Sequence, residues 1–168
     1  MSYKVEKVWE SNGFKCVVIM GSMGHRCGYV GVHSGHILYR QESNKDCPAL
    51  LSYLKKLIDN NEEVGKRGVI PLFCYTEGEA KPNVVFNVHG GLTYSGEDPK
   101  YPVESSDIWW FGYDCGHAGD GIDLSVLKLE VRKIYAGMDG VVRRLDYCVE
   151  ECENLAKQFK EVENVDCG

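Results

Sequence analysis

The sequence has no long apolar run. Nothing in its 168 residues approaches the ~20 consecutive apolar positions that a membrane helix requires. The first residues, Met1-Ser2-Tyr3-Lys4-Val5-Glu6-Lys7-Val8-Trp9, hold no apolar signal-peptide core, so a cytoplasmic location without a membrane partner is expected. Basic runs are also missing: no more than two Lys or Arg residues are adjacent, and 19 basic against 25 acidic residues give a net charge of −6. Phosphate-backbone recognition needs a clustered basic surface, which excludes a general nucleic-acid binder. The eight cysteines contain no Cys-x-x-Cys pair. With no secretory signal either, reduced and mostly buried thiols are expected rather than a disulfide framework. Cys148 and Cys152, four residues apart, fit a helical apolar face better than half a metal site. The glycine string at 21–28 lacks the Gly-Lys-Ser/Thr ending of a phosphate loop, and no His-Glu-x-x-His occurs.

What is present describes one domain, 1–168, which at 43% hydrophobic residues can build a core unaided. A chain of this size buries roughly 68–70% of its unfolded surface. Tyr3–Glu10 and Phe14–Met20 flank Ser11-Asn12-Gly13, a strong hairpin signal, so two antiparallel strands open the chain. Tyr29–His33 reads as a third strand whose glycines let a backbone or a ligand approach closely. Asp46-Cys47-Pro48 places a capping carboxylate and a first-turn proline ahead of apolar positions 50, 51, 54, 57 and 58, which predicts a helix ending near Asn60. Val69–Tyr75 and Asn83–Val88 read as strands, and residues 90–106 as a long irregular loop before the aromatic run Ile108–Tyr113. Apolar positions 141, 142, 145, 148, 149, 152, 155, 156 and 159 predict a long C-terminal helix over about 141–161. The expected fold class is α+β: a mostly antiparallel sheet with one central and one long C-terminal helix packed on it.

Chemistry is expected in the loops. Glycine supplies 19 of 168 residues, about 11% against a typical ~7%, concentrated in 21–35, 90–96 and 112–121. Four of the five histidines adjoin a glycine: His25, His36, His89 and His117. The densest constellation is Asp114-Cys115-Gly116-His117-Ala118-Gly119-Asp120 behind Trp109-Trp110-Phe111. Aromatic faces there can stack on a base or sugar while His117, Asp114 and Asp120 hydrogen-bond hydroxyls or an amine. An Asx turn with core-anchoring tryptophans explains the same residues. The second constellation, His89-Gly90-Gly91-Leu92-Thr93-Tyr94-Ser95, can expose backbone amides to an anion beside hydroxyl donors, or simply make a tight turn. His33 and His36 have a two-ligand spacing without a supporting helix. Together with His89, Asp114, His117 and Asp120 they form a pool of metal-ligand types whose spacing specifies no site, so neither metal nor cofactor is expected. Cys115 with His117 or His89 supplies the elements of nucleophilic catalysis.

Tyr29-Val30-Gly31-Val32 with Gly35-His36, His89–Tyr94, Trp109–Asp120 and the Glu-rich terminal helix resemble small bacteriophage-encoded proteins, over residues 28–160. Through its source and size, the resemblance implies a counter-defence protein that binds and sequesters a nucleotide-derived immune signal, ADP-ribose-type or cyclic, in the host cytoplasm. Trp109, Trp110 and Tyr94 are then expected to stack, His89 and His117 to make polar contacts, Gly90, Gly91 and Thr93 to offer amides and a hydroxyl, and Asp114 and Asp120 to accept from ribose or amine groups. A small hydrolase, with or without a metal, acting on a nucleotide or similar small molecule through His117, Asp114 and Asp120 is the alternative. An inhibitor of a host protein, anchored by exposed tryptophans, is the third reading. A symmetric homo-oligomer is expected, cyclic dimers being the commonest assemblies.

Overall fold

A computed structural model of the chain describes residues 2–60, 68 and 70–166. Five antiparallel strands, β1 (Tyr3–Ser11), β2 (Phe14–Gly21), β3 (Arg26–His33), β4 (Tyr94–Gly96) and β5 (Ile108–Asp114), form one sheet in the order β1-β2-β3-β5-β4. The helices are α1 (Leu51–Asp59), α2 (Ile70–Thr76), α3 (Pro82–Val85), α4 (Leu129–Tyr135) and α5 (Leu145–Asp166). The architecture is α+β, and α5 packs across β2 and β3.

The opening hairpin turns at Asn12 and Gly13, both at positive φ (52° and 83°), the backbone that an Asn-Gly turn favours. A register shift between Val5 and Lys7 leaves Glu6 as a bulge residue, and its carboxylate grips the Arg26 guanidinium through Nε at 2.6 Å and Nη2 at 3.2 Å. On one sheet face Cys16, Val18, Val30, Val32, Phe111 and Tyr113 meet Cys148, Cys152, Leu155, Ala156 and Phe159 of α5, with Leu50, Tyr53, Leu54 and Leu57 in the same core. On the other, Val17, Ile19, Tyr29, Ile108 and Trp110 are covered by Tyr94, Tyr101 and Val103. Strands buried on both faces read as continuous apolar runs, as 16–20 does.

The strand glycines make room for aromatic rings rather than for a ligand. Gly28, Gly31 and Gly112 stand opposite Tyr113, Trp110 and Tyr29 in the strand register. A Cβ would lie 2.4 Å from the Tyr113 ring at Gly28 and 2.6 Å from the Tyr29 ring at Gly112.

Several expectations are corrected. The stretch expected as strand 69–75 is helix α2 (Val69 lies outside the described residues), with Pro71 in the first turn, where no N–H is needed. The strand expected at 83–88 is the helical turn α3, opened by Pro82, followed by an irregular stretch. Short apolar runs imitate buried strands, but Pro71 and Pro82 fit the first turn of a helix and favour its φ. Asp46 does not cap the central helix: the chain enters a single 3-10 turn, Pro48–Leu50, after Cys47, and Asp46 Oδ1 instead accepts from the Ala80 amide at 2.7 Å. The C-terminal helix begins at Leu145, since residues 141–143 serve a loop contact described below, and it runs on to Asp166. Within the expected loop 90–106, the short strand β4 pairs with β5. Among the described residues no helix is long and apolar enough to cross a membrane.

Candidate functional site

Three segments distant in sequence meet at one edge of the sheet. Beyond β5 the chain turns at 117–120, where the Asp120 amide donates to the His117 carbonyl at 2.9 Å and Gly119 takes φ +91°. The Asp120 side chain folds back so that Oδ2 accepts from the His117 amide at 3.0 Å. Reciprocal backbone bonds then join this turn to the chain ahead of α5: Gly121 amide to Val141 carbonyl at 2.8 Å, and Val141 amide to Gly119 carbonyl at 2.9 Å. They bring Arg143 alongside. The third segment, 87–91, is held by α5 itself. The Asn87 amide donates to Gln158 Oε1 at 2.9 Å, the His89 amide donates to Glu151 Oε2 at 3.1 Å, and the turn closes with the Gly91 amide on the Val88 carbonyl at 2.9 Å.

Asp120 is the centre of the resulting network, its side chain only 2% exposed. His89 Nε2 lies 2.8 Å from Oδ2, and Arg143 donates through Nε to Oδ1 at 3.0 Å. Burial opposes ionisation, but the bonds from His89, Arg143 and the His117 amide prevail and hold the carboxyl below the usual carboxylate range. The other nitrogen of His89, Nδ1, meets the Tyr147 hydroxyl at 2.8 Å. Burial, with Glu151 nearby, pushes the Tyr147 phenol up, so it remains a neutral hydroxyl able to donate or accept. The Arg143 guanidinium lies over the Tyr147 ring, 4.8 Å from its centroid, and its two terminal nitrogens have no partner among the described residues.

His117 lies directly over Gly90, where an added Cβ would stand 2.2–2.7 Å from three of its ring atoms. Gly90 takes φ +67°, so its backbone and the space above it both require glycine. The His117 side chain is 37% exposed, yet Nδ1 is shielded from solvent and has no hydrogen-bond partner. That nitrogen lies 3.5 Å from Asp114 Oδ1 and 3.9 Å from Asp120 Oδ2. Asp114 is fixed by the Thr93 hydroxyl at 3.1 Å and the Gly116 amide at 2.9 Å, the Asx turn that its sequence suggests.

The fold therefore unites His89, Gly90, Gly91, Thr93, Asp114, His117 and Asp120, and leaves the expected stacking aromatics elsewhere. Trp110 is fully buried on the opposite sheet face, with its indole N–H on Ser105 Oγ at 3.2 Å. Trp109 is half-buried and donates to the Gln41 carbonyl at 2.9 Å. Tyr94 packs edge-on against Tyr29 and Tyr101. The tryptophans thus anchor the core, and Tyr147 is the aromatic residue at the site. Cys115 is buried beneath it, 3.7 Å from Cys148 Sγ; sharing a proton with Cys148, together with burial, keeps its thiol protonated, which removes it as a nucleophile. His36 is a core histidine between the Phe159 carbonyl and the Leu38 amide, and forms no ligand pair with exposed His33. Seven described cysteines are free thiols.

Sequence reasoning missed Arg143, Tyr147 and Glu151. Tyr147 lies off the apolar stripe of its helix, which is the one signal available; its closeness to His89 follows only from the docking of α5. Comparison of the chain with protein-family models, curated proteins and solved structures finds no match in any of the three.

Proposed function

We propose that the protein binds and sequesters a nucleotide-derived signal, ADP-ribose-type or cyclic, at the His89–His117–Asp120 centre, in keeping with the phage counter-defence role that its motifs suggest. The observation that carries this reading is Arg143. Its Nε is tied to Asp120 and its plane rests on Tyr147, so the guanidinium is oriented in advance while its terminal N–H groups stay available for a phosphate. Asp114 and Thr93 offer neighbouring acceptor and hydroxyl groups to a ribose, and His117 presents a partly exposed ring between them. Stacking by Trp109, Trp110 or Tyr94 is no part of the proposal, given where those rings lie.

One observation favours the hydrolase as a second reading: His89, His117 and Asp120 place one ligating atom each within 4.8 Å of one another. A single experiment separates the two. The purified protein is incubated with ADP-ribose-derived and cyclic nucleotides, freed of unbound ligand and heat-denatured, and the released compound is identified by mass spectrometry. An intact nucleotide, lost in Arg143→Ala, supports sequestration, and a converted one supports hydrolysis. No binding tighter than millimolar across the panel refutes both. Light scattering on the same sample tests the symmetric homo-oligomer included in the proposal.

A further inference from the structure

We infer that His89, His117 and Asp120 form a mononuclear site for a first-row divalent transition ion of the zinc type. The inference deepens the hydrolase reading of these three residues and does not depend on nucleotide binding, because it rests on the donor atoms and the bonds that support them. Among the described residues this is the one group of three His, Cys, Asp or Glu side chains whose ligating atoms lie within 4.8 Å of one another. Two imidazoles and one carboxylate make a donor set suited to Zn(II), Fe(II) or Co(II), and one that discriminates against Mg(II) and Ca(II). Three protein ligands leave coordination positions open, as in catalytic rather than structural sites.

The distances suit an ion. Metal–nitrogen and metal–oxygen bonds of about 2.0–2.2 Å put neighbouring tetrahedral ligands ~3.3 Å apart. His89 Nε2 to Asp120 Oδ2 is 2.8 Å and His117 Nδ1 to Asp120 Oδ2 is 3.9 Å, on either side of that value. His117 supplies the independent observation: Nδ1 is out of solvent, makes no hydrogen bond, and faces the carboxylates. With its lone pair on this shielded, unpartnered nitrogen, His117 would complete the ligand set of a cation held against the carboxylates.

The supporting bonds of such a site are already in place. A metal-bound histidine characteristically hydrogen-bonds through its other nitrogen, and a ligating carboxylate through its other oxygen. His89 Nδ1 meets the Tyr147 hydroxyl, and Asp120 Oδ1 takes the Arg143 N–H. An ion on Nε2 needs that nitrogen's lone pair, which places the ring proton on Nδ1 with the Tyr147 hydroxyl as its acceptor. A hydroxyl serves either tautomer, so that placement leaves Nδ1 paired.

The test uses the full chain, stripped with a chelator and titrated with Zn²⁺ by calorimetry and with Co²⁺ by visible absorption. The expected result is one ion per chain and d–d bands without thiolate charge transfer. Affinity should fall by about tenfold or more in Tyr147→Phe, and in His117→Ala and Asp120→Asn by more than the roughly 10–100-fold that an outer partner supplies. His117 is partly exposed, so its alanine variant should keep the wild-type near-ultraviolet circular dichroism and report on binding even if Asp120→Asn misfolds. No saturable binding, a thiolate charge-transfer band, or unchanged affinity in folded His117→Ala would overturn the inference.

Discussion

Gly90 and its neighbour Gly91 offer a matched pair of substitutions that separates backbone strain from damage to the site. Both take positive φ, +67° and +81°. An alanine in either is disfavoured by roughly 1–2 kcal/mol for its left-handed backbone. The surroundings differ. At Gly91 the nearest atom to an added Cβ is the Asn83 carbonyl oxygen at 3.8 Å, ordinary contact, whereas at Gly90 it is the His117 ring at 2.2 Å. Since ordinary contact begins near 3.4 Å, the ring must retreat by about 1.2 Å. His117 is partly exposed and can swing outward, so the added cost falls on the site rather than on the fold. Functional groups lose competence when displaced by more than ~0.5 Å, so this movement removes His117 from the centre. The two variants are expected to lose similar stability, a Tm decrease of about 2–8 °C, while Zn²⁺ affinity drops only in Gly90→Ala, by about tenfold or more. Thermal denaturation and calorimetry on both proteins provide the check. Equal affinities, or a larger loss in Gly91→Ala, would refute the argument that Gly90 exists to seat His117.

Gly28→Ala should cost about 1–3 kcal/mol by driving a methyl group into the buried Tyr113 ring; Gly35→Ala, facing open space, should stay within ~0.5 kcal/mol in the same urea titration. The Asp123 carboxyl is held below its unfolded value by the Ser125 hydroxyl and amide, against some burial, with Arg26 assisting. Its contribution is therefore fully present above the unfolded pKa of about 4 and fades as pH falls through the lowered folded value. Asp123→Asn should flatten that part of the acid-unfolding curve, and an unchanged curve would count against the Ser125 bonds, and the Arg26 pairing beside them, as the source of the lowered value. Burial pushes the Cys16 thiol up to about 12 and the Cys27 thiol up to about 11. Alkylation followed by peptide mass mapping should thus leave both unmodified at pH 8 in the native protein and modify both in urea; rapid native labelling would contradict their burial.

The opening hairpin, the third strand and the terminal helix are legible because local pattern and tertiary demand agree there. Asn12-Gly13 takes the turn its residues prefer, and the Cys148–Phe159 stripe faces the sheet as its spacing requires. The expected strands 69–75 and 83–88 fail because a short apolar run suits a buried strand and a helix equally, and the weight lies with Pro71 and Pro82, each in the first turn of a helix. Of the site, the loop residues were legible from the clustering of histidine, aspartate and glycine. The stacking role given to Trp109 and Trp110 was not sustained, since the same alternation that makes β5 a strand sends Trp110 into one core and turns its neighbours to the other. Arg143 is illegible because local sequence holds no trace of the Val141 contact that delivers it, and the place of Tyr147 off its apolar stripe does not say that the docking of α5 brings it to His89.

The centre draws its groups from chain positions far apart: 31 residues separate His89 from Asp120, and 58 separate it from Tyr147. No subset of the fold contains it. His117 and Asp120 share one local turn, but the chain must close the 31-residue loop to bring His89 to Asp120 and the 58-residue loop to bring Tyr147 to His89, so the entropy of both closures is paid before the full centre forms. A nascent or nicked chain lacking α5 would lose Tyr147, Glu151 and Gln158, the residues that hold His89 and its segment in place. Conversely, any ion or ligand captured there would recognise the native chain alone and deepen its stability in proportion to the logarithm of its concentration. Occupancy of the centre is thus a readout of a chain whose distant segments have come together.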